Sequence, residues 1–288
     1  MSAVVTGYAS LDYTVTLDRA PEPDRTATIL SRASAFPRLG GSPAYVAAAM
    51  VAAGSPDAAP VTWIGDDAEG QRYRAALEAL GVRSDGVGVR SGRTPVCVLA
   101  YQPDGGCHCF YHPSLSEPIL LDERQRELVT AADLVCVTVG PETATRAVLA
   151  AAAPRAIVVW AVKADPRAVP PDLAAALAMR ADIVVSSRRE AGFVRDAFER
   201  ARMRRSPPVR IETRGGEGVA ILGEGSETLV SVKSFQADDA TGAGDTFLGG
   251  FLAAWRAGEV EPAVESGVAA AGALLLRRTK NVGGTGVG

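Results

Sequence analysis

The chain has 288 residues, with 30 basic against 33 acidic side chains, so its formal net charge is −3, and no block of five like charges occurs. That balance argues against nucleic acid or an anionic membrane surface as a partner, and the longest apolar stretches, near 157–162 and 267–276, fall short of the ~18 residues of a membrane span. At ~150 residues per domain, the length suits one large α/β domain that buries roughly three quarters of its unfolded surface without a disulfide or metal staple.

Apolar alternation opens the chain over Ala3 to Gly7 and Asp12 to Leu17. After the breaker Pro21-Glu22-Pro23-Asp24, a short β-like run follows from Thr26 to Leu30. Behind Gly40-Gly41-Ser42-Pro43, an Ala-rich segment predicts a helix to Ala53, with Ser42 as N-cap, Pro43 as first helical residue and Gly54 as the stop. Val61 to Ile64 reads as a buried strand and Glu69 to Leu80 as an amphipathic helix ended by Gly81. Val96 to Tyr101 and Cys107 to Tyr111 flank Pro103-Asp104-Gly105-Gly106, a hairpin signal.

From there, strand-like runs at Leu134 to Val139, Ala156 to Ala161, Ile183 to Ser186 and Val209 to Glu212 alternate with helical stretches at 142–153, 172–179 and 189–202. Short apolar strands alternating with helices imply βαβ units and a parallel sheet covered on both faces. Val219 to Leu222 and Leu229 to Val232 read as one more hairpin, and helices near 243–256 and 261–276 close the chain. The expected fold is an α/β three-layer sandwich with a mostly parallel central sheet. It spans 1–288 as a single domain, with a small β excursion from about 12–38 and 93–112.

The cysteines, Cys97, Cys107, Cys109 and Cys136, make no disulfide framework. The opening residues lack the basic n-region of a signal peptide, so a cytoplasmic protein with reduced thiols is expected. Cys107-His108-Cys109-Phe110-Tyr111-His112 invites a metal reading. On a strand, however, Cys107 and Cys109 face one way while His108 and His112 face the other, so hairpin packing is expected instead.

The densest chemical signal is Asp238-Asp239-Ala240-Thr241-Gly242-Ala243-Gly244-Asp245-Thr246-Phe247, a small-residue turn entering a helix. Free amides at a helix N-terminus form an anion site, and a carboxylate in that first turn lies close to whatever the amides hold. In phosphoryl transfer such a carboxylate takes a proton from an attacking hydroxyl while the amides offset charge on the transferred group. Read alone, the same residues are equally a glycine-rich helix start with an ordinary first-turn Asp.

Asp239 to Asp245 resembles the signature Asp-Thr-Thr-Gly-Ala-Gly-Asp of the PfkB, or ribokinase-like, family of carbohydrate and nucleoside kinases, differing at one position. Gly40-Gly41 opening a helix is similar to that family's first signature. Ile64-Gly65-Asp66-Asp67-Ala68-Glu69-Gly70 resembles its Gly-x-Asp-x-x-Gly segment, and Thr213-Arg214-Gly215-Gly216-Glu217-Gly218 its Thr-x-Gly-x-x-Gly turn. These matches keep the family's order over nearly the whole chain.

The resemblance implies a ribokinase-like kinase that moves the γ-phosphoryl group of ATP, with Mg²⁺, to a hydroxyl of a small sugar or nucleoside. It makes Asp245 the base and the amides of Gly242, Ala243 and Gly244 the anion hole. Asp12, Gly40, Gly41 and Tyr45 would bind the acceptor. Thr213, Arg214, Gly215, Gly218 and Asn281 would meet the nucleotide, with Arg214 near the phosphates, and Glu190 would organise Mg²⁺ through water. The β excursion would be a lid, and its apolar face suggests a homodimer. Lys280-Asn281-Val282-Gly283-Gly284 matches the family's monovalent-cation loop loosely, which leaves K⁺ open.

The chain also departs from the pattern. Tyr45 and Ser187 stand where the family has asparagine, and Gly140 replaces a glutamate typical of ribokinases, so plain ribose is a poor expectation. Tyr45 either stacks on the acceptor or fills helix packing, and Glu190 is equally a solvated helix-start glutamate. A sugar phosphate acceptor would need an extra cationic pocket, for which Arg25, Arg32, Arg38 and Arg93 are available. A non-catalytic sensor on the same fold has no use for the retained Asp245. A dehydrogenase lacks its Gly-x-Gly-x-x-Gly after the first strand, Walker-type NTPases lack a Gly-Lys pair, and no Gly-x-Ser-x-Gly supports a hydrolase.

Overall fold

A computed structural model describes residues 1–201, 207–233 and 239–282, the side chains of 279–282 excepted. In chain order, its strands are β1 (Ala3–Thr6), β2 (Ser10–Leu17), β3 (Ile29–Arg32), β4 (Arg38–Gly40), β5 (Ala58–Gly65), β6 (Val87–Arg90), β7 (Val96–Tyr101) and β8 (Cys107–His112), then β9 (Leu134–Val137), β10 (Ile157–Ala161), β11 (Ile183–Ser187), β12 (Val209–Thr213), β13 (Val219–Leu222) and β14 (Glu227–Val230). The helices are α1 (Ser42–Ala52), α2 (Ala68–Ala79), α3 (Glu123–Ala131), α4 (Glu142–Ala151), α5 (Pro171–Arg180), α6 (Ala191–Arg200), α7 (Ala243–Ala254) and α8 (Val260–Val282).

The large sheet runs β14-β13-β12-β11-β10-β9-β1-β5-β6, parallel from β12 to β6 and antiparallel at the β13–β14 hairpin. Successive strand residues face opposite sides, so the apolar runs serve two cores. Val5, Leu134 and Cys136 pack with Val46 and Met50 of α1, Leu77 of α2, Phe251 of α7 and Val264 of α8. Val4, Val135 and Val137 pack with Val129 of α3, Val148 of α4, Leu173 of α5 and Val194 of α6. The three-layer expectation therefore holds.

A smaller sheet, ordered β3-β2-β7-β8 with β4 paired to β2, matches the expected excursion. Its β2–β7 pairing is parallel and its other pairings antiparallel. The register sets Asp12 beside Cys97 and Arg38, and Leu99 beside Cys109, on one face, while Tyr13, Val98 and Phe110 share the other.

Several boundaries differ from expectation. Gly41, with φ of 82°, caps α1 in place of Ser42 and uses no side chain to do so; Ser42 is already helical. The helix expected at 189–202 starts as a 3-10 turn at Arg188–Glu190 and ends at Arg200. The third strand lies at Ile29–Arg32, and α8 runs past 276 to Val282. β4, β6 and α3 had no counterpart in the sequence reading.

Helix α7 lies against α1 because Gly249 has no side chain: a Cβ there would stand 2.5 Å from both the Ala49 Cβ and the Val46 carbonyl. Gly249→Ala should therefore cost about 1–3 kcal/mol, the usual range for overpacking. Urea unfolding of the variant checks this, and an unchanged midpoint would contradict the close approach.

Candidate active site

The C-terminal ends of the parallel strands share one edge of the large sheet, where ligands of open α/β folds bind. At that edge, α7 begins at Gly242, which adopts a left-handed conformation with φ of 72°. A Cβ on Gly242 would fall 2.8 Å from the Tyr45 ring, so only glycine lets the turn rest on that ring. The amides of Gly242 and Gly244 have no protein partner among the described residues, whereas that of Ala243 donates to the Ala240 carbonyl at 3.0 Å. Two of the three expected amides thus have no partner among the described residues, and the space in front of Gly244 is open.

Asp245 follows in the first turn, partly buried. Burial of its carboxyl raises the pKa above the ordinary aspartate value, against the lowering effects of a hydrogen bond from Ser42 and the positive charge of Lys163. Ser42 thus serves the carboxylate of Asp245 instead of capping its own helix. The ammonium of Lys163, just beyond β10, has no ion-pair or hydrogen-bond partner among the described residues.

The loop before the turn is held from three directions. Arg38 pairs with Asp239 through two hydrogen bonds of 2.5 and 3.2 Å. Arg278 of α8 donates to the carbonyls of Asp239 and Thr241, and the Tyr101 hydroxyl lies 2.7 Å from Thr241 Oγ1. Burial opposes ionisation of Asp239, but the Arg38 pair and Arg278 hold its pKa below the usual value.

Asp12 is only 4% exposed and faces this turn from β2. Burial raises its pKa; Ser10, donating at 2.5 Å, and the nearby Arg38 lower it, while the charges of Asp245 and Asp239 raise it further. Gly40 makes room for that carboxylate, since a Cβ would lie 2.1 Å from Asp12 Oδ1. Gly41 makes the tight turn into α1 beside the Tyr8 carbonyl.

The buried side-chain polar atoms without a partner among the described residues concentrate here: Thr14 Oγ1, Arg38 Nε and the hydroxyls of Tyr45 and Tyr73, with Trp255 Nε1 lying elsewhere. The Tyr45 ring fills space against Gly242, as the packing reading expects, and its hydroxyl has no partner among the described residues. Behind Tyr8 and Tyr111, whose ring centroids are 5.2 Å apart, lies a cavity of about 610 Å³ lined by Trp63, Leu115, Pro141 and Arg167. None of the expected site residues lines it.

On the expected nucleotide side, Thr213 ends β12 and its hydroxyl contacts the Ser186 carbonyl at 3.4 Å. Gly215 (φ 57°) turns into open space, and Gly218 (φ 119°) passes 2.4 Å, measured from a notional Cβ, from the Val230 carbonyl. Arg214 departs from expectation. Its guanidinium holds Glu212 at 2.7 Å and Glu227 at 2.6 and 2.7 Å, so all three nitrogens are engaged in tying β12 to the β13–β14 hairpin.

Glu190 accepts the Ser187 amide and hydroxyl at 2.8 and 2.9 Å and the Ala164 amide at 3.3 Å, which makes it a helix cap. Among the described residues, no group of three or more His, Cys, Asp or Glu is arranged to hold a metal. Asn281 lies in α8 with its side chain outside the described residues. Of the candidate phosphate cations, Arg38 faces the site, Arg25 approaches Glu22, and Arg32 sits over the Phe36 ring.

The family model described as pfkB family carbohydrate kinase matches residues 4–281. An ATP-dependent ribose-1-phosphate kinase of Halopiger xanaduensis is 32% identical over 276 residues, 94% of this chain and 90% of that protein. Ribokinase of Cryptococcus neoformans, solved with ADP, superposes with a TM-score of 0.78 at 21% identity, covering 95% of this chain and 93% of that one. Arabidopsis thaliana ribokinase, solved with ribose and ATP, gives 0.74 at 23% identity, covering 96% and 92%. The nucleoside kinase of Methanocaldococcus jannaschii gives 0.74 at 19% identity, covering 96% and 92%. The fold and the phosphate-type turn define a small-molecule kinase. The chain belongs to the pfkB family of carbohydrate kinases.

Arg214→Ala should lower the melting temperature, because Glu212 and Glu227 lose their shared cation, and should leave the KM for ATP unmoved. Steady-state kinetics with a melting curve checks both. A raised KM at unchanged stability would return Arg214 to the phosphates.

Proposed function

We propose that the chain is one ATP-dependent kinase domain over 1–288 that phosphorylates a primary hydroxyl of a pentose phosphate, with ribose 1-phosphate the first acceptor to test. The observation that carries this reading is the desolvated carboxylate of Asp245 in the first turn of a helix whose Gly242 and Gly244 amides have no partner among the described residues. The acceptor oxygen attacks the γ-phosphorus, its proton passes to the Asp245 carboxylate, and the bond to the β-phosphate oxygen breaks to release ADP. The amides, joined by Ala243 if its turn opens, offset charge on the transferred group.

Asp12, Gly40, Gly41 and Tyr45 form the acceptor side, where the unpaired Thr14, Arg38 and Tyr45 groups await sugar hydroxyls. The name of the 32% identical relative supports a sugar phosphate. So do the loss of two ribokinase-type contacts at Tyr45 and Gly140 and the charge of Lys163, which acts on Asp245 and has no ion-pair partner among the described residues. The smaller sheet closes over this side as a lid. Thr213 and the Gly215–Gly218 turn face the nucleotide, and Asn281 is assigned to that side from the family resemblance alone.

Mg²⁺ fits this chain as a passenger of the nucleotide. The oxygens of Glu190 are already hydrogen bonded, which leaves it able to hold metal-bound water but not to build a cage. Bound there, the ion would neutralise charge on the phosphates.

Asp245→Asn keeps shape and removes the proton acceptor, so kcat should fall ~10²–10⁴-fold. The sign on stability is opposite to that of an ordinary ion-paired aspartate. A carboxyl whose folded pKa is raised stabilises the protein at pH below its unfolded value and loses that contribution as pH rises through the folded one. At neutral pH the variant should therefore melt at the same temperature or higher. For the parent, the acid limb of kcat/KM should fall at a pH above the ordinary aspartate range. Turnover within about threefold of the parent would exclude Asp245 as a base of ordinary strength.

The outer face of the lid leaves Ile29, Phe110 and Val98 exposed at 59%, 57% and 39%, and a second copy of this chain is proposed to cover it. Light scattering should give a dimer at micromolar concentration that Phe110→Glu reduces to a monomer. A monomeric, fully active parent would remove the dimer.

A further inference from the structure

We propose that Cys97 and Cys109, on the acceptor-facing side of the smaller sheet, form a reversible thiol-oxidation site, with peroxide as oxidant and a cross-strand disulfide as product. The two sulfurs lie 3.3 Å apart, and both cysteines are free. Register places Cys97 opposite Tyr111 and Cys109 opposite Leu99, a diagonal pair across the β7–β8 ladder. The parallel β2–β7 pairing sets Cys97 beside Asp12, so the thiols border the proposed acceptor pocket.

The pair is asymmetric in the way a sensor requires. Cys109 lies on β8, which is exposed along its length, and Cys97 is 6% exposed. The hydrogen bond from Cys97, with the more distant Lys163, brings the Cys109 thiol down to about 7 against the effect of burial. The same bond, with burial, pushes Cys97 up. At neutral pH, Cys109 is the nucleophile and Cys97 the protonated partner held beside it.

The chemistry balances in two steps. The Cys109 thiolate attacks one oxygen of hydrogen peroxide, the O–O bond breaks, and hydroxide leaves and takes a proton to become water. The resulting sulfenic acid is then attacked by Cys97 sulfur; the S–O bond breaks, and the Cys97 proton leaves with the departing hydroxide as a second water. Diagonal neighbours in an antiparallel ladder lie ~7–8 Å apart, beyond the ~7 Å that a disulfide spans without backbone movement. The bond therefore draws β7 and β8 together and is readily reduced, returning the two thiols.

The test uses the full-length protein with hydrogen peroxide, mapped by mass spectrometry before and after dithiothreitol. The expected result is a mass lower by two hydrogens, one peptide linking Cys97 to Cys109, complete reversal on reduction, and slower amide exchange in β7 and β8 of the oxidised form. Cys107→Ser and Cys136→Ser should both keep the crosslink, and Cys97→Ser should leave Cys109 oxidised beyond the sulfenic stage. Sulfinic acid at Cys109 with Cys97 free in the parent, a bond to Cys107, or unchanged exchange with the bond formed would each overturn the proposal. Because no readout involves turnover, these outcomes are independent of whether ribose 1-phosphate is the acceptor. That identity affects only which substrate the altered lid would admit.

Discussion

The arrangement of the site depends on Asp239 and the two arginines that hold it. Arg38 reaches it from the smaller sheet and Arg278 from the last helix, so one carboxylate joins three parts of the chain at the entrance to α7. Exposed ion pairs contribute ~0–1 kcal/mol and would not fix a loop. This pair is mostly buried, with side chains 13% and 20% exposed, and it is bidentate, which fixes direction as well as distance. With the loop fixed, Gly242 can rest on Tyr45 and turn its amide outward.

The same cleft carries an electrostatic cost. Asp12 and Asp245 are both desolvated, and the charge of Asp245 adds to what burial does to Asp12. Ser10, Ser42, Arg38 and Lys163 offset part of this. The rest leaves a carboxylate that holds its proton more tightly than it would in water, and a general base gains strength from that as long as it remains ionised at working pH. If Asp245 is the base proposed above, stability and catalysis pull against each other there, and well-packed layers on both sides of the sheet carry the difference.

Much of the fold was legible because parallel strands buried on both faces leave continuous apolar runs, as at Val135 to Val137 and Val158 to Trp160. What escaped had weak or short patterns. α3 buries only Gln125 and Val129, so no apolar stripe announces it, although the Asp122–Gln125 capping box was available as a signal. β4 is three residues long and ends at the glycine that accommodates Asp12. In the site, the turn at Gly242 to Asp245, Asp12, Gly40 and Tyr45 stood out as motifs, and the structure brings Gly242 against Tyr45 and Gly40 against Asp12. Ser42, Lys163, Arg278 and Tyr101 could not be found this way. Their roles come from tertiary contact across long sequence separations, and Ser42 already had a plausible local role as an N-cap. Arg214 meets a related limit: next to a glycine turn, a cation suggests phosphate, whereas Glu227, with which it pairs, lies in the next hairpin.

The parallel pairing of β2 with β7 joins Leu11 to Val96, so the smaller sheet is stitched from segments that emerge far apart during synthesis. A β-hairpin can close as soon as its turn exists, but this ladder cannot form until β5, α2 and β6 have returned the chain to the same edge. The smaller sheet is therefore a late, dependent element of the folding sequence. It cannot be excised or transplanted as a module, and in a nascent chain ending before β7, β2 would present an unpaired edge on that side to any other strand.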